Sequence, residues 1–321
     1  MLSLFPHPSP QQLIVALALI AGIVVLAYTQ SGKGERGRVE GKGGRVEEHL
    51  TLDSPVLGKP VEYSIYLPPD YETGQRHYPI IYLLHGGGDG EDADWFRFAR
   101  INILLDRLIR SGDIPAVIVV TPDGRRDAAN RNNTYYMNDA DGVFRWEDMF
   151  VQDFVPTLEK QYRAIGTQKS RAIAGLSMGG YAAIAYSMRH PELFVAAAAL
   201  SGAFRTDNEI VSMDQAGYDR RHGKAYGMGL VGEARLNRHF RDYSVLDMVD
   251  SLPLQTLKAT PFYIDCGAGD IFFDGNAILH EKLRDKGVTH VFMSRPGNHD
   301  WDYWRSGMEG AVRFVAGHLQ R

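Results

Sequence analysis

The sequence predicts an α/β fold, a mostly parallel central sheet with helices on both faces. Two observations carry this expectation. Five short runs are apolar throughout rather than alternating: PIIYLLHGG from Pro79, IPAVIVVTPDG from Ile114, RAIAGLSMGG from Arg171, FVAAAALSG from Phe194 and PFYIDCGAGD from Pro261. A strand without a polar side is buried on both faces, as strands of parallel sheets are. Helix-like stretches separate most of the runs, near Phe96–Arg110, Trp146–Tyr162, Met178–Arg189 and Ala277–Lys286. Strand–helix alternation of this kind builds a doubly wound sheet. At 321 residues, 44% hydrophobic and 23% charged, the chain can form one large core.

From the N-terminus, Leu13–Tyr28 is a sixteen-residue run without a charge. It reads as a signal peptide or an N-terminal membrane anchor within residues 1–30, so the protein is expected to be secreted or periplasmic, or attached to a membrane by residues 13–28. Val25-Leu26-Ala27 offers a small-residue cleavage site, whereas Lys33, Arg36, Arg38, Lys42 and Arg45 follow the run with no Lys or Arg before it, a pattern that favours an uncleaved segment. Residues 31–45 are Gly-rich and charged, a flexible tether, and Lys42-Gly43 lacks the Ser or Thr of a phosphate-binding loop. A domain of residues 46–321 follows. It opens with VEEHLTL and VEYSIYL, an antiparallel hairpin by their flanking turn residues. A sixth strand run, HVFMSRPGNHD, closes the series, and Trp301–Leu319 is a terminal helix. Residues 203–258 interrupt the alternation before the run that begins at Pro261, as a charged cap or insertion without a broad apolar face. A net charge of −4 gives no reason to expect nucleic acid, and the single cysteine, Cys266, leaves no internal disulfide. The acidic loop Asp89–Asp94 lacks the spacing of a calcium loop and reads as a solvated turn, with no metal.

The chemistry sits in Gly175-Leu176-Ser177-Met178-Gly179. A strand-like RAIA precedes it and the helix-like MGGYAAIAYSMRH follows. This is the setting of a nucleophile elbow, in which flanking glycines permit a sharp turn that raises the serine hydroxyl clear of the backbone, and it predicts the α/β-hydrolase fold. In that fold the chain order is serine, acid, histidine. His299, in the loop after the last strand run, is the candidate base; His290, His318, His239 and His222 fall in strand, terminal helix or insertion. The acid belongs in PFYIDCGAGDIFFD, where Asp270 follows a small-residue turn; Asp274 and Asp265 remain alternatives. His85-Gly86-Gly87-Gly88 ends the first buried run, so the backbone amides of Gly87 and Met178 are the candidate oxyanion donors, with His85 structural. Tyr135, Tyr136 and Trp301 are candidate substrate contacts. This chemistry calls for no cofactor.

From about Arg45 onward the chain resembles the esterase D, feruloyl esterase and antigen 85 group of α/β hydrolases. The matching segments are YLLHGGG, WEDMFVQDFVPTLEKQY, AGLSMGGYAA, IDCGAGD and PGNHDWDYW. The resemblance implies Ser177, Asp270 and His299 as nucleophile, acid and base, with Gly87 and Met178 at the oxyanion. In the mycolyl-transferring branch the acid is a glutamate and the oxyanion loop is bulkier, so Asp270 and Gly87 depart from that branch. The implied activity is hydrolysis of a small-molecule or polysaccharide-linked ester, with a short or aromatic acyl group on a polar alcohol. Acyl transfer to a sugar or other alcohol by the same triad, and a non-catalytic binding role on this fold, are the alternatives.

Overall fold

A computed structural model describes residues 43–129 and 132–320. The expected export or anchor segment at 13–28 and most of the tether lie outside the described residues. Among those described, no helix is long and apolar enough to cross a membrane.

Strands β1 (Arg45–Ser54) and β2 (Lys59–Leu67) form the expected hairpin, antiparallel from Arg45 opposite Leu67 to Ser54 opposite Lys59. β2 also pairs antiparallel with β4 (Ile118–Pro122). Every later pairing is parallel, through β3 (Ile80–Leu84), β5 (Arg171–Leu176), β6 (Ala197–Leu200), β7 (Phe262–Gly267) and β8 (His290–Arg295). The sheet order is β1-β2-β4-β3-β5-β6-β7-β8. Each apolar run feeds both faces because side chains alternate along a strand. On β3, Ile80, Tyr82 and Leu84 enter one core while Ile81 and Leu83 enter the other. Helices α1 (Ile101–Ser111) and α5 (Trp301–Gly317) cover the second core. The first is covered by α2 (146–161), α3 (Met178–Arg189), α4 (Phe273–Asp285) and the insertion. Each fully buried large side chain contributes about 1.5–3 kcal/mol, so the two cores together hold the fold.

Four local expectations need correction. The helix expected over Phe96–Arg110 is two pieces, because Arg100 takes a left-handed φ of +51° and turns the chain before α1. Within α2 the turn Phe150–Phe154 is a wider π-type turn. Pro156 lies just beyond it, has no N–H and crowds the carbonyl four residues back, so a widened turn relieves the clash. The last strand run is not buried on both faces: β8 is the sheet edge, with Val291 and Met293 exposed. Finally, the acidic loop is solvated only in part, at the exposed Asp89. Asp92 and Asp94 are buried, Asp92 accepting from the Ser64 hydroxyl at 2.5 Å and Asp94 from the Glu91 amide at 3.1 Å. The insertion, residues 203–258, is a set of short helices whose Phe204, Tyr226, Phe240 and Val249 join the first core. Cys266 is buried in β7, where burial and the nearby Asp270 and Asp265 charges push its thiol well above the usual range.

One buried ion group ties the insertion to α2 and α3. Glu147 accepts from Arg189 at 2.7 and 3.1 Å, pairs with His190 at 2.8 Å and accepts from the Tyr243 hydroxyl. Burial alone would raise its carboxyl, but these partners outweigh burial and hold it at about 2. A carboxyl depressed from 4.5 to about 2 stabilises the fold fully above the higher value, and that contribution is lost as pH falls through the lower one. The shift corresponds to something on the order of 3 kcal/mol. Glu147→Gln should therefore be less stable at neutral pH and lose less further stability on acidification across this window than the wild type. Urea unfolding of both proteins at neutral pH and at about pH 3 measures this; parallel losses in the two proteins would contradict it.

Candidate active site

Ser177 stands between β5 and α3 with φ +53° and ψ −117°, a backbone that non-glycine residues rarely hold. Close packing on both sides imposes it. A Cβ on Gly175 would meet the Gly179 carbonyl at 2.4 Å, and one on Gly179 would meet the Leu84 carbonyl oxygen at 2.4 Å. The two motif glycines are therefore what lets α3 start directly against the end of β3. The Ser177 amide donates to Leu200 at 2.9 Å and its carbonyl accepts from Ala203 at 2.9 Å, which fixes the turn to the end of β6.

Sheet register brings the other two groups to the same edge. Leu176 lies opposite Leu200, Leu200 opposite Asp265, and Asp265 opposite Met293. The loops leaving β5, β7 and β8 thus start side by side at the carboxyl ends of parallel strands, where open α/β sheets place their ligands. The β7 and β8 loops are then joined through backbone. The Ala268 amide donates to Arg295 and the Gly269 amide to Gly297, each at 2.9 Å. Gly297 adopts φ +152°, and a Cβ on Gly267 would meet its carbonyl oxygen at 2.5 Å, so the two loops approach this closely only as glycines.

The result is a row of hydrogen bonds. His299 Nε2 lies 2.9 Å from Ser177 Oγ, and its Nδ1 lies 3.0 Å from both Asp270 oxygens. Asp270 is buried, which opposes its charge, yet hydrogen bonds from His299, Ser201 and the Phe272 amide hold its carboxyl below the usual range. The imidazole is held edge-on between Phe272 and Trp304, each with ring centroids 4.9 Å away. Of the alternative acids, Asp265 is taken up by Arg295 at 2.9 Å and by the Tyr303 hydroxyl, and Asp274 is exposed at the start of α4.

A cleft runs over this row in two lobes that share Gly87, Ser177 and His299. One lobe encloses about 380 Å³ and includes Met178, Asn133 and Tyr135. The other encloses about 630 Å³ and includes Phe98, Trp301 and Trp304. Gly87 and Met178 therefore lie beside the serine, where their amides can meet a developing oxyanion. His85 is structural: Nδ1 contacts the Gly86 carbonyl at 2.7 Å and Nε2 accepts from the Gly124 amide at 2.8 Å. Tyr135 reaches the cleft wall, stacked on His222 at 5.0 Å. Tyr136 does not reach it; fully buried, it donates its hydroxyl to the His85 carbonyl at 3.0 Å, so its expected contact with substrate is withdrawn.

Among the site residues that the sequence does not single out are Asn133 and Ser201. Asn133 accepts the Gly88 amide at 3.0 Å and so fixes the glycine loop. Ser201, at φ +49°, receives the Trp304 indole N–H at 3.0 Å and hydrogen-bonds Asp270. The visible signal for Ser201 was its place one residue past a buried strand, beside the elbow.

With this geometry in hand, comparisons with known proteins point the same way. The family model described as "Putative esterase" matches residues 54–315. An esterase of Mycobacterium tuberculosis (strain H37Rv) is 27% identical over 303 residues, covering 86% of this chain; the chain spans only 63% of that relative's length. The endo-1,4-beta-xylanase/feruloyl esterase of Xylanibacter ruminicola is 31% identical over 170 residues, 51% of this chain and 22% of that protein. A ferulic acid esterase of known structure superposes with a TM-score of 0.73 at 29% identity, over 87% of this chain and 99% of its own.

The acid assignment has a direct test. Asp270→Asn should lower kcat by about 10⁴, because the wrong imidazole tautomer then faces the serine. Asp274→Asn should leave kcat within about twofold of wild type, as expected of an exposed side chain. Steady-state hydrolysis of a nitrophenyl ester, with folding checked by circular dichroism, separates the two; a larger kcat loss in Asp274→Asn would overturn the assignment.

Proposed function

The chain belongs to this esterase family of α/β hydrolases, and we propose that it hydrolyses carboxylic esters through an acyl-enzyme on Ser177. The observation that carries the reading is the continuous row from Ser177 Oγ through His299 to Asp270 on the floor of an open cleft. In this mechanism His299 Nε2 takes the serine proton as Oγ bonds to the ester carbonyl carbon. The carbonyl oxygen becomes an oxyanion against the Gly87 and Met178 amides. Collapse expels the alcohol, which receives the proton from His299, and leaves the acyl group on Ser177. Water, deprotonated by the same imidazole, then attacks the acyl carbon, releasing the acid and returning the proton to Ser177. Asp270, held charged, keeps the Nδ1 proton in place and balances the imidazolium.

We take the substrate to be a short-chain or aromatic acyl ester of a polar alcohol. Support comes from the aromatic lobe of Phe98, Trp301 and Trp304, whose faces suit a ring, and from relatives named as feruloyl esterases. We further propose that the mature protein lies outside the cytoplasm or on a membrane, supported by the apolar run Leu13–Tyr28; N-terminal sequencing of protein recovered from its host tests this, and an intact Met1 on soluble cytosolic material would reject it.

Fluorophosphonate should label the wild type at Ser177 in one-to-one stoichiometry and should not label Ser177→Ala. That variant should lose kcat by a factor on the order of 10⁶ while keeping its fold. Residual turnover above about a tenth of wild type would reject Ser177 as the nucleophile.

A further inference from the structure

The two lobes of the cleft differ in charge. The smaller lobe, around Tyr135 and Asn133, is lined by three arginines from the insertion, Arg205, Arg220 and Arg221, and, among the described residues, by no carboxylate. The larger lobe carries Asp89, Glu91, Asp94 and Asp300 beside its aromatic side chains. Such a division has an electrostatic cost that a neutral substrate does not relieve, since three like charges around one small space repel one another.

Of the insertion's acids, Glu209 reaches one of these arginines, and three others are engaged elsewhere. Asp219, next in sequence to Arg220, accepts from the Gly229 amide at 2.8 Å and from Gln215 at 2.9 Å. Asp207 and Asp247 pair with Arg241. Arg220 and Arg221 are exposed and make no ion pair among the described residues. Arg205 is mostly buried: one terminal nitrogen reaches Glu209 at 3.0 Å and its plane lies 4.3 Å over the Phe272 ring. Its Nε is buried and has no hydrogen-bond partner among the described residues. A buried guanidinium donor left unpaired costs free energy that an incoming acceptor recovers. The field is also visible at the wall. His222, stacked on Tyr135, is pushed down to about 3, first by burial and then by the charges of Arg205, Arg221 and Arg235.

We propose that the ester taken by this site carries an oxyanion group, a carboxylate or a phosphate, on the portion that enters the arginine lobe, where Arg205, Arg220 and Arg221 bind it. The proposal rests on the esterase reading above. Arg205 supplies the fixed contact, its fork held by Phe272 and Glu209, while Arg220 and Arg221 supply exposed charge at the rim. The acidic and aromatic lobe holds the other portion, so the charge difference sets which way round the ester lies across Ser177.

The test uses two sets of esters, one varied in the acyl portion and one in the alcohol portion, each with a neutral, a carboxylate and a phosphonate member of matched size. In one set the anionic members should exceed the neutral one in kcat/KM by about tenfold, and that ratio should fall about tenfold in Arg220→Gln/Arg221→Gln. Arg238→Gln, which removes an exposed arginine outside the cleft, should not move the ratio. Which anion is preferred separates a carboxylate from a phosphate source. Equal rates for neutral and anionic members in both sets, or a preference that the double variant keeps, would overturn the proposal. If no ester is hydrolysed and fluorophosphonate does not label the protein, the esterase reading fails by itself. The anion site is then judged by calorimetric titration with benzoate and inorganic phosphate: binding by wild type that the double variant loses supports it, and no binding by wild type overturns it.

Discussion

At Ser177 the chain is held at φ +53°, a state that costs on the order of 1–3 kcal/mol in an unconstrained residue. The central sheet is what makes this state the one that packs. β5 lies between β3 and β6, its side chains buried on both faces, and the helix that begins at Met178 sits so close to β3 that Gly179 touches the Leu84 carbonyl. Relaxing the serine would require α3 to move away from the sheet and open both the first core and the glycine loop at His85. The strain is thus carried by the whole central layer.

The base and the acid are supported differently. They hang on loops after β7 and β8, toward the edge of the sheet, and are kept in place by backbone bonds between the loops and by rings around the imidazole. Ser201 links the two halves, since it follows β6 beside the elbow yet touches Trp304 of α5 and Asp270 of the β7 loop. Ser177 thus rests on central strands, whereas His299 and Asp270 rest on cross-linked loops nearer the sheet edge.

Much of this was readable from sequence because it is local or periodic. Unbroken apolar runs announce strands buried on both faces, and five of the six are so buried. The elbow announces itself because its glycines sit at fixed spacing around the serine, although the demand on Gly179 comes from Leu84 on a neighbouring strand. His299 and Asp270 follow from chain order and from loops at strand ends. What was not readable depends on partners far along the chain. The exposure of β8 comes from having no strand beyond it, which no pattern within HVFMSR encodes. Asp92 and Asp94 look like a solvated turn until Ser64, 28 residues before Asp92, is seen to meet it. Tyr135 and Tyr136 are adjacent in sequence, but one lines the cleft and the other is sealed beneath it, because both residues take left-handed backbone angles that turn the rings apart. The arginines of the insertion read as ordinary surface charge until folding gathers three of them in one lobe.

Cys266 has a consequence for how the protein meets its surroundings. The thiolate is the form that reacts with oxidants, disulfides and soft metals. Here burial and two neighbouring carboxylates keep the sulfur protonated inside β7. With no second cysteine in the chain, the fold neither needs nor can form an internal disulfide. It is therefore indifferent to the redox poise of its compartment and forms equally in a reducing or an oxidising one. Alkylating agents that silence thiol enzymes therefore find no exposed thiol in the native state.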